Sequence, residues 1–390
     1  MGNKLLEILR SYSIKNANFK RIIRVINGPQ IVCNINLKSK DQKKVLLCYL
    51  PQCFEPITNH LSHPNILHCL SMVNVLTSKG FAVDVCYSND LYALKNLAIA
   101  DYDFILGFGK VFDSISQDET KALKILLVTE NDPNVVKEKY KERIQYFKER
   151  HPSWPIKNFI VRDSFYNAKK FYESEVAIVM NSSYNINNFK NSFSRTYPIN
   201  VNGLYNEKFS VVDKKEMSDT KKFLWFGSSG ALHKGLDIII DAFSYLPELV
   251  LSVYGANPKE LRSIKKIPQN VHIMGKVSVF SDVFLKIANE NAFVLSASCS
   301  EGMNSGIATC MLHGIVPIIT KETGFDNNNT IIELDDFKVE SVVEVLKSAS
   351  QLERFVIEEN IENTYKYAHD NFTLEKFEQN FERIVDTILN

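Results

Sequence analysis

The chain has 390 residues, more than a single hydrophobic core usually supports, so two domains are expected. With 45% hydrophobic and 23% charged residues and a formal net charge of +1, it has an ordinary globular composition with no field to attract nucleic acid, and that class of partner is set aside. Seven scattered cysteines, an odd number, fit buried thiols in a reducing compartment, and the absence of a long apolar run or a signal-peptide core points to the cytoplasm.

The first elements carry a local charge excess. Residues 1–44 hold ten Lys or Arg (Lys4, Arg10, Lys15, Lys20, Arg21, Arg24, Lys38, Lys40, Lys43, Lys44) against Glu7 and Asp41, a net charge of +8. Leu5, Leu6, Ile8, Leu9 and Tyr12 lie among these charges. A basic segment with interleaved apolar residues can rest on an anionic leaflet at about 1 kcal/mol per basic side chain, which makes the inner face of the plasma membrane a candidate partner. The alternative is a solvated pair of elements leading into the first domain.

From Lys44 onward, strands and helices alternate. Lys44–Leu50 reads as a strand, followed by a loop through Pro51 and His63-Pro64-Asn65, a helix to Lys79 and a Gly80 stop. Further strands are expected at Phe81–Cys86, Tyr102–Gly109 and Lys124–Glu130. This order argues for an α/β domain with a parallel sheet. Loops at the carboxyl ends of such strands hold ligands. They contain Asn59, His60, His63 and Asn65, then Gly107 and Gly109, then Glu130, Asn131 and Asp132. Glu130 suits a base or a hydroxyl binder, and equally a cap for the helix beginning near Asp132-Pro133. A hinge is expected at Asn202-Gly203, so that residues 1–204 form the first domain and 205–370 the second.

The second domain opens with the polar stretch Asn206–Lys222. Phe223–Phe226 reads as a buried strand, Gly227-Ser228-Ser229-Gly230-Ala231-Leu232 as a glycine-rich loop, and Lys234–Phe243 as a helix. Small residues let backbone amides approach a phosphate, and Lys234 adds a point charge, although the spacing is not that of a P-loop. A plain strand-to-helix turn is the alternative. After Leu251–Gly255 and Val271–Gly275 comes the apolar run Ala292–Leu295 and then Ser298-Cys299-Ser300-Glu301-Gly302-Met303-Asn304-Ser305-Gly306. A strand-to-helix junction of this kind offers backbone N–H groups and a helix N-terminus to an anion. Glu301 would repel a phosphate and is suited to accept hydrogen bonds from sugar hydroxyls. A helix-capping Glu is the alternative. Ile307–Leu312 would be the helix and Gly314–Ile319 the next turn and strand.

These motifs together, Gly-Ser-Ser-Gly…His-Lys-Gly and Ser-x-x-Glu-Gly…Gly-x-x-Pro, resemble the C-terminal domain of retaining GT-B glycosyltransferases, specifically those of glycosyltransferase family 4. The resemblance implies two facing Rossmann-like domains with parallel sheets and a cleft between them, and a last helix, residues 371–390, that returns to the first domain. It further implies that Lys234 contacts a donor diphosphate and Glu301, the first Glu of a Glu-x7-Glu motif, holds the donor sugar's hydroxyls. Gly227, Ser228, Ser229, Gly230, Gly255, Gly302, Met303, Asn304 and Ser305 then belong to the donor site. Thr309 stands where the family has its second, ribose-binding Glu, and Ser228 stands where an Arg is common. Thr309 would keep one neutral hydrogen bond in place of a stronger charge-assisted one. His63, Asn65, Gly107, Gly109 and Glu130 become the acceptor-side candidates, with Glu130 where many relatives carry a His that touches the donor sugar.

The implied activity is transfer of a hexose-type sugar, with retention and without a metal or cofactor, from a nucleotide-diphosphate sugar to a glycan or lipid-linked glycan in cell-surface polysaccharide assembly (lipopolysaccharide or capsule). Two alternatives remain, a non-catalytic GT-B-like scaffold and a nucleotide-sugar epimerase. A metal-dependent transferase would use an Asp-x-Asp pair. Asp101-Tyr102-Asp103 has the letters but precedes its strand, where a metal pair should follow one. His60, His63 and His68 have no carboxylate partner and read poorly as metal ligands.

Overall fold

The computed structural model describes residues 31–54, 63–159, 164, 166–189 and 192–389. Most of the basic leader, together with Asn59 and His60, lies outside the described residues. The first sheet has seven strands: β1 (Ile31–Ile35), β2 (Lys44–Tyr49), β3 (Ala82–Tyr87), β4 (Phe104–Gly107), β5 (Leu123–Val128), β6 (Val176–Val179) and β7 (Arg195–Pro198). Their order is β1-β3-β2-β4-β5-β6-β7, parallel from β3 onward. The middle strands carry apolar runs such as Ile-Leu-Leu-Val at the buried end of β5, as a sheet covered by helices on both faces requires.

The second sheet comprises β8 (Asp219–Phe226), β9 (Val250–Tyr254), β10 (Val271–Gly275), β11 (Asn291–Ser296), β12 (Val316–Thr320) and β13 (Ile332–Leu334). It is wholly parallel in the order β10-β9-β8-β11-β12-β13, the doubly wound order in which chain direction reverses between the first and fourth strands. That switch point lies between β8 and β11, the strands that carry the glycine-rich loop and Glu301. Phe223 and Phe293 meet across it with ring centroids 5.1 Å apart.

Three differences from the sequence reading have physical causes. The edge strand β1 is antiparallel to β3, so the first sheet is mixed rather than wholly parallel. Its Ile-Val-Cys-Asn-Ile sequence is half exposed, like an edge, and lacks the apolar run of a central strand. The strands β6 and β7 are only four residues long, and β7, Arg-Thr-Tyr-Pro, is a polar edge ending in the proline that a central strand would not tolerate. The helix expected from Lys234 begins at Leu236, because Gly235 turns the chain with φ +71°.

The domains meet on three fronts. At the crossover between the two sheets, where a hinge is expected, Gly203 N–H donates to Phe372 O (2.8 Å), and a Cβ on Gly203 would stand 2.7 Å from Thr309 N, so no larger residue fits there. The final helix, Leu374–Leu389, lies on Pro64–Ser78 of the first domain. Phe377 stacks on His68 there, and Lys79 pairs with Glu382 and Asp386, both at 2.8 Å. On the far side, Pro133–Arg150 docks on Leu236–Phe243 through Arg143 and Asp237, both side chains fully buried. Arg150 bonds Asp237 and Asp241 as well, and His151 Nε2 lies 2.7 Å from Asp241. Burial opposes the Asp237 charge, but the two guanidinium groups outweigh it and hold the carboxyl below its ordinary range. One hydrophobic cluster spans both domains, from Val45 and Leu47 through Met303 and Ile307 to Phe372 and Phe381.

All seven cysteines are free thiols, five of them buried. Among the described residues no helix is long and apolar enough to cross a membrane.

Candidate functional site

The loop after β8 is built from close backbone approaches. Gly227 N–H donates to Tyr254 O (3.1 Å), and Gly255, at φ +82°, abuts the Gly227 carbonyl so tightly that a side chain is impossible. Gly230, at φ +93°, turns the chain so that its N–H and that of Ala231 point to the Glu260 carboxylate, at 2.9 and 3.3 Å. Gly235 then presses against Ala297 O at the end of β11. This contact seats the glycine-rich loop on the Glu301 loop. Lys234 Nζ meets Glu301 Oε1, which joins the two loops side chain to side chain.

Glu301 sits in a nest of donors. Ser298 Oγ donates to its Oε1 (3.2 Å), and His233 Nε2 lies 3.6 Å from the same oxygen. The side chains of Lys234 and Glu301 are only 12% and 8% exposed. Glu301 is not the cap of the following helix. Asn304 is, with Oδ1 accepting from Gly306 and Ile307 N–H at 2.9 and 3.4 Å.

Several expected donor contacts have other work. The Glu301 N–H donates to Glu322 O (2.9 Å), and the Met303 N–H crosses to Met180 O of the first domain (3.0 Å). Thr309 is buried, with its hydroxyl donating to Ser305 O (2.8 Å) and accepting from Leu204 N–H (3.0 Å). That hydroxyl therefore fastens the hinge and has no hydrogen left for a ribose. His313 continues the fastening: Nδ1 donates to Thr309 O (2.7 Å) and Nε2 accepts from Asn206 N–H (3.1 Å). Burial pushes its pKa down to about 4, which leaves it the neutral tautomer that makes both bonds.

The first-domain candidates sit at the carboxyl ends of their strands. Glu130, after β5, is buried and accepts from Ser164 Oγ (3.0 Å), while Asp132 caps the helix Pro133–Arg150. A Cβ on Gly302 would lie 2.7 Å from Thr129 C and 3.1 Å from Glu130 N, so the Glu130 and Glu301 loops touch. His63 is exposed and caps Pro64–Ser78, with Nδ1 accepting from Asn65 N–H (3.2 Å). Gly107 and Gly109 have φ of +141° and +85° and press on Cys48 and Ser88, so their backbone placement accounts for both glycines. Asp101 and Asp103 precede β4, and Asp103 accepts from Lys44 N–H (2.8 Å).

Two groups at the site escaped the sequence reading. Glu260 lies in a short helix between motifs, where nothing marks it. Asn185 donates to Glu301 O (3.2 Å) and Asn181 Oδ1 (2.7 Å) and accepts from Asn131 (2.9 Å). The signal for Asn185 was available, an Asn-Ser-Ser-Tyr-Asn loop after a strand, but β6 had to be recognised first.

No protein-family model matches the sequence, and no curated protein matches it. Solved structures do match in fold. Sucrose-phosphate synthase from Thermosynechococcus elongatus superposes with a TM-score of 0.64 at 11% identity, over 89% of this chain and 99% of that one. HepE of Anabaena, solved with UDP-glucose, gives 0.58 at 13% identity, over 88% and 99%. WaaG, a glycosyltransferase involved in lipopolysaccharide biosynthesis, gives 0.56 at 14% identity, over 87% and 99%. The chain has the GT-B fold, an architecture of two α/β domains that matches its own two sheets.

Proposed function

We propose that the chain is a retaining, metal-independent glycosyltransferase that moves a hexose-type sugar from a nucleotide-diphosphate sugar to a glycan or lipid-linked glycan in cell-surface polysaccharide assembly. One observation carries the reading: Lys234 and Glu301, from separate strand-to-helix junctions, meet at the carboxyl ends of β8 and β11 beside the first domain. Solved relatives of the same fold include one bound to UDP-glucose, which supports a nucleotide-sugar donor.

In this reading Lys234 takes the donor's diphosphate, and Glu301 turns to the sugar hydroxyls. The bond from the anomeric carbon to the phosphate oxygen breaks as the acceptor oxygen bonds to the same face. The departing diphosphate takes the acceptor's proton, so the products are a nucleoside diphosphate and a glycoside with retained configuration. The protein's main task is to stabilise charge gathering on the diphosphate. Glu130 lines the acceptor side, and the basic N-terminal segment gives the chain affinity for the anionic inner face of the membrane.

Thermal unfolding across a panel of sugar nucleotides tests the reading. A donor at a hundredfold excess over its Kd should add about 2.7 kcal/mol of stability. Lys234→Ala and Glu301→Ala should abolish the shift, and Lys234→Ala should lower turnover by about two orders of magnitude, as loss of one key electrostatic donor does. Unchanged turnover in Lys234→Ala would falsify the assignment. A product formed without any acceptor would indicate the epimerase.

The commitment of Thr309 to the hinge favours a second reading, a GT-B-like scaffold with no activity. That reading requires no shift with any sugar nucleotide.

A further inference from the structure

The proposed donor loop has a partner that the motifs do not announce. Ser228 and Ser229 are exposed, whereas Gly230 and Ala231 are buried and their amides face inward. The group they face is the carboxylate of Glu260, itself fully buried, with one oxygen on each N–H. Asn257 adds a third tie. Its Nδ2 donates to Ser229 Oγ (3.2 Å) while its Oδ1 accepts from Lys259 N–H (2.9 Å), so one side chain joins the loop to the segment that carries Glu260.

The chemistry of this arrangement restricts what the loop can bind. A loop of small residues with inward amides can cradle an anion, and here the anion is the chain's own. An N–H that already donates to a buried carboxylate is closed to a phosphate oxygen, and two anions brought to the same pair of amides would repel. Gly230 and Ala231 are thus withdrawn from any diphosphate. The exposed Ser228 and Ser229 rim and Lys234 remain. Lys234 N–H donates to Gly230 O (2.8 Å), so the turn that Glu260 holds also sets where the Lys234 side chain departs.

We propose that Glu260, assisted by Asn257, is a positioning residue of the donor site. It fixes the loop from Ser229 to Lys234 in the shape that aims Lys234 at Glu301, and it directs the donor diphosphate to Lys234 and the Ser228–Ser229 rim rather than to the Gly230 and Ala231 amides. The donor part of this proposal rests on the transferase reading above. The brace itself does not.

Glu260→Gln keeps the shape of the side chain but turns an NH2 group toward one of the two amides. The expected outcome in the full-length chain is a donor KM raised about tenfold, with kcat changed about threefold or less. Asn257→Ala, at a half-buried position, should raise KM about threefold and serves if Glu260→Gln folds poorly. Hydrogen exchange read by NMR follows the brace without any donor. The Gly230 and Ala231 amides should be protected in the ligand-free wild type, should stay protected when a sugar nucleotide is added, and should exchange about tenfold faster in Glu260→Gln. Equal exchange in wild type and variant overturns the brace whether or not the chain is a transferase. A loss of stability with KM unchanged reduces Glu260 to a structural cap and also overturns the proposal. If the wild type binds no sugar nucleotide, the transferase reading and the donor clause fall together, and the exchange data still decide the brace.

Discussion

A few positions here tolerate only one residue, and the reason differs at each. Gly302 has ordinary backbone angles, so its constraint is steric: an added Cβ meets the backbone of Thr129 and Glu130, which cannot rotate away as a side chain could. Gly302→Ala should therefore push the Glu130 and Glu301 loops apart. Forcing a methyl group into packed backbone costs about 1–3 kcal/mol, so a lowered thermal midpoint together with weaker donor binding is expected. A variant with wild-type midpoint and affinity would show that the loops do not need this contact. Thr309 illustrates the opposite case. Its type reads as a weakened ribose ligand, yet the hydroxyl is consumed by Leu204 and Ser305. Hydrogen-bond capacity is finite, and only the fold reveals where it has been used.

Among the elements, the helix Leu236–Phe243 joins the two domains through buried charge. Seven of its eight residues are buried, including Asp237. A helix apolar on nearly every side must be enclosed, and its two carboxylates, four residues apart, then need cationic partners. Pro133–Arg150 supplies them, although its sequence reads as a solvated, charge-covered helix. Its spacing with Val136, Tyr140 and Phe147 puts Arg143 on the buried face of the helix, but nothing along the chain names Asp237 as its partner. Breaking a buried pair leaves one charge without compensation, so Asp237→Asn should destabilise the chain by about 3–5 kcal/mol. Arg143→Met combined with Asp237→Leu should recover most of that loss, because replacing a buried pair with apolar residues is often neutral. Chemical denaturation of Arg143→Met, Asp237→Leu and the double variant measures this, and additive losses would contradict the coupling.

Across the whole molecule, two buried histidines tie stability to pH. Burial lowers His68 to about 3 and His313 to about 4, from an ordinary value of 6.5. The folded state refuses the proton that the unfolded chain accepts, so stability is complete above about pH 6.5 and falls as pH drops toward the folded values. Each histidine contributes a slope of about 1.4 kcal/mol per pH unit, and together they should remove about 3 kcal/mol between pH 6.5 and pH 5. Both stand where the domains join. His68 accepts from Asn202 N–H (3.2 Å) against Phe377, and His313 holds the Thr309 end of the hinge. Urea titrations at the two pH values read the loss, and a flat response would mean that neither histidine is buried in neutral form.

Legible along the chain were the repeating strand–loop–helix order and the loops at strand ends that carry Lys234 and Glu301, whereas the contact between those two side chains was not. The legible features are local properties: apolar runs, glycines and a carboxylate at fixed distances along the chain. The sequence reading missed β1, β7 and β13, edge strands without the apolar run that marks a central one, and passed over β6 although Val-Ala-Ile-Val is such a run. Only the tertiary structure decided which donors and acceptors at the site are already engaged. Glu260 on the loop amides, Thr309 on the hinge and Arg143 on Asp237 join residues 30, 105 and 94 positions apart. Such pairings are chosen by how two sheets and their helices close on each other, and no spacing along the chain encodes them.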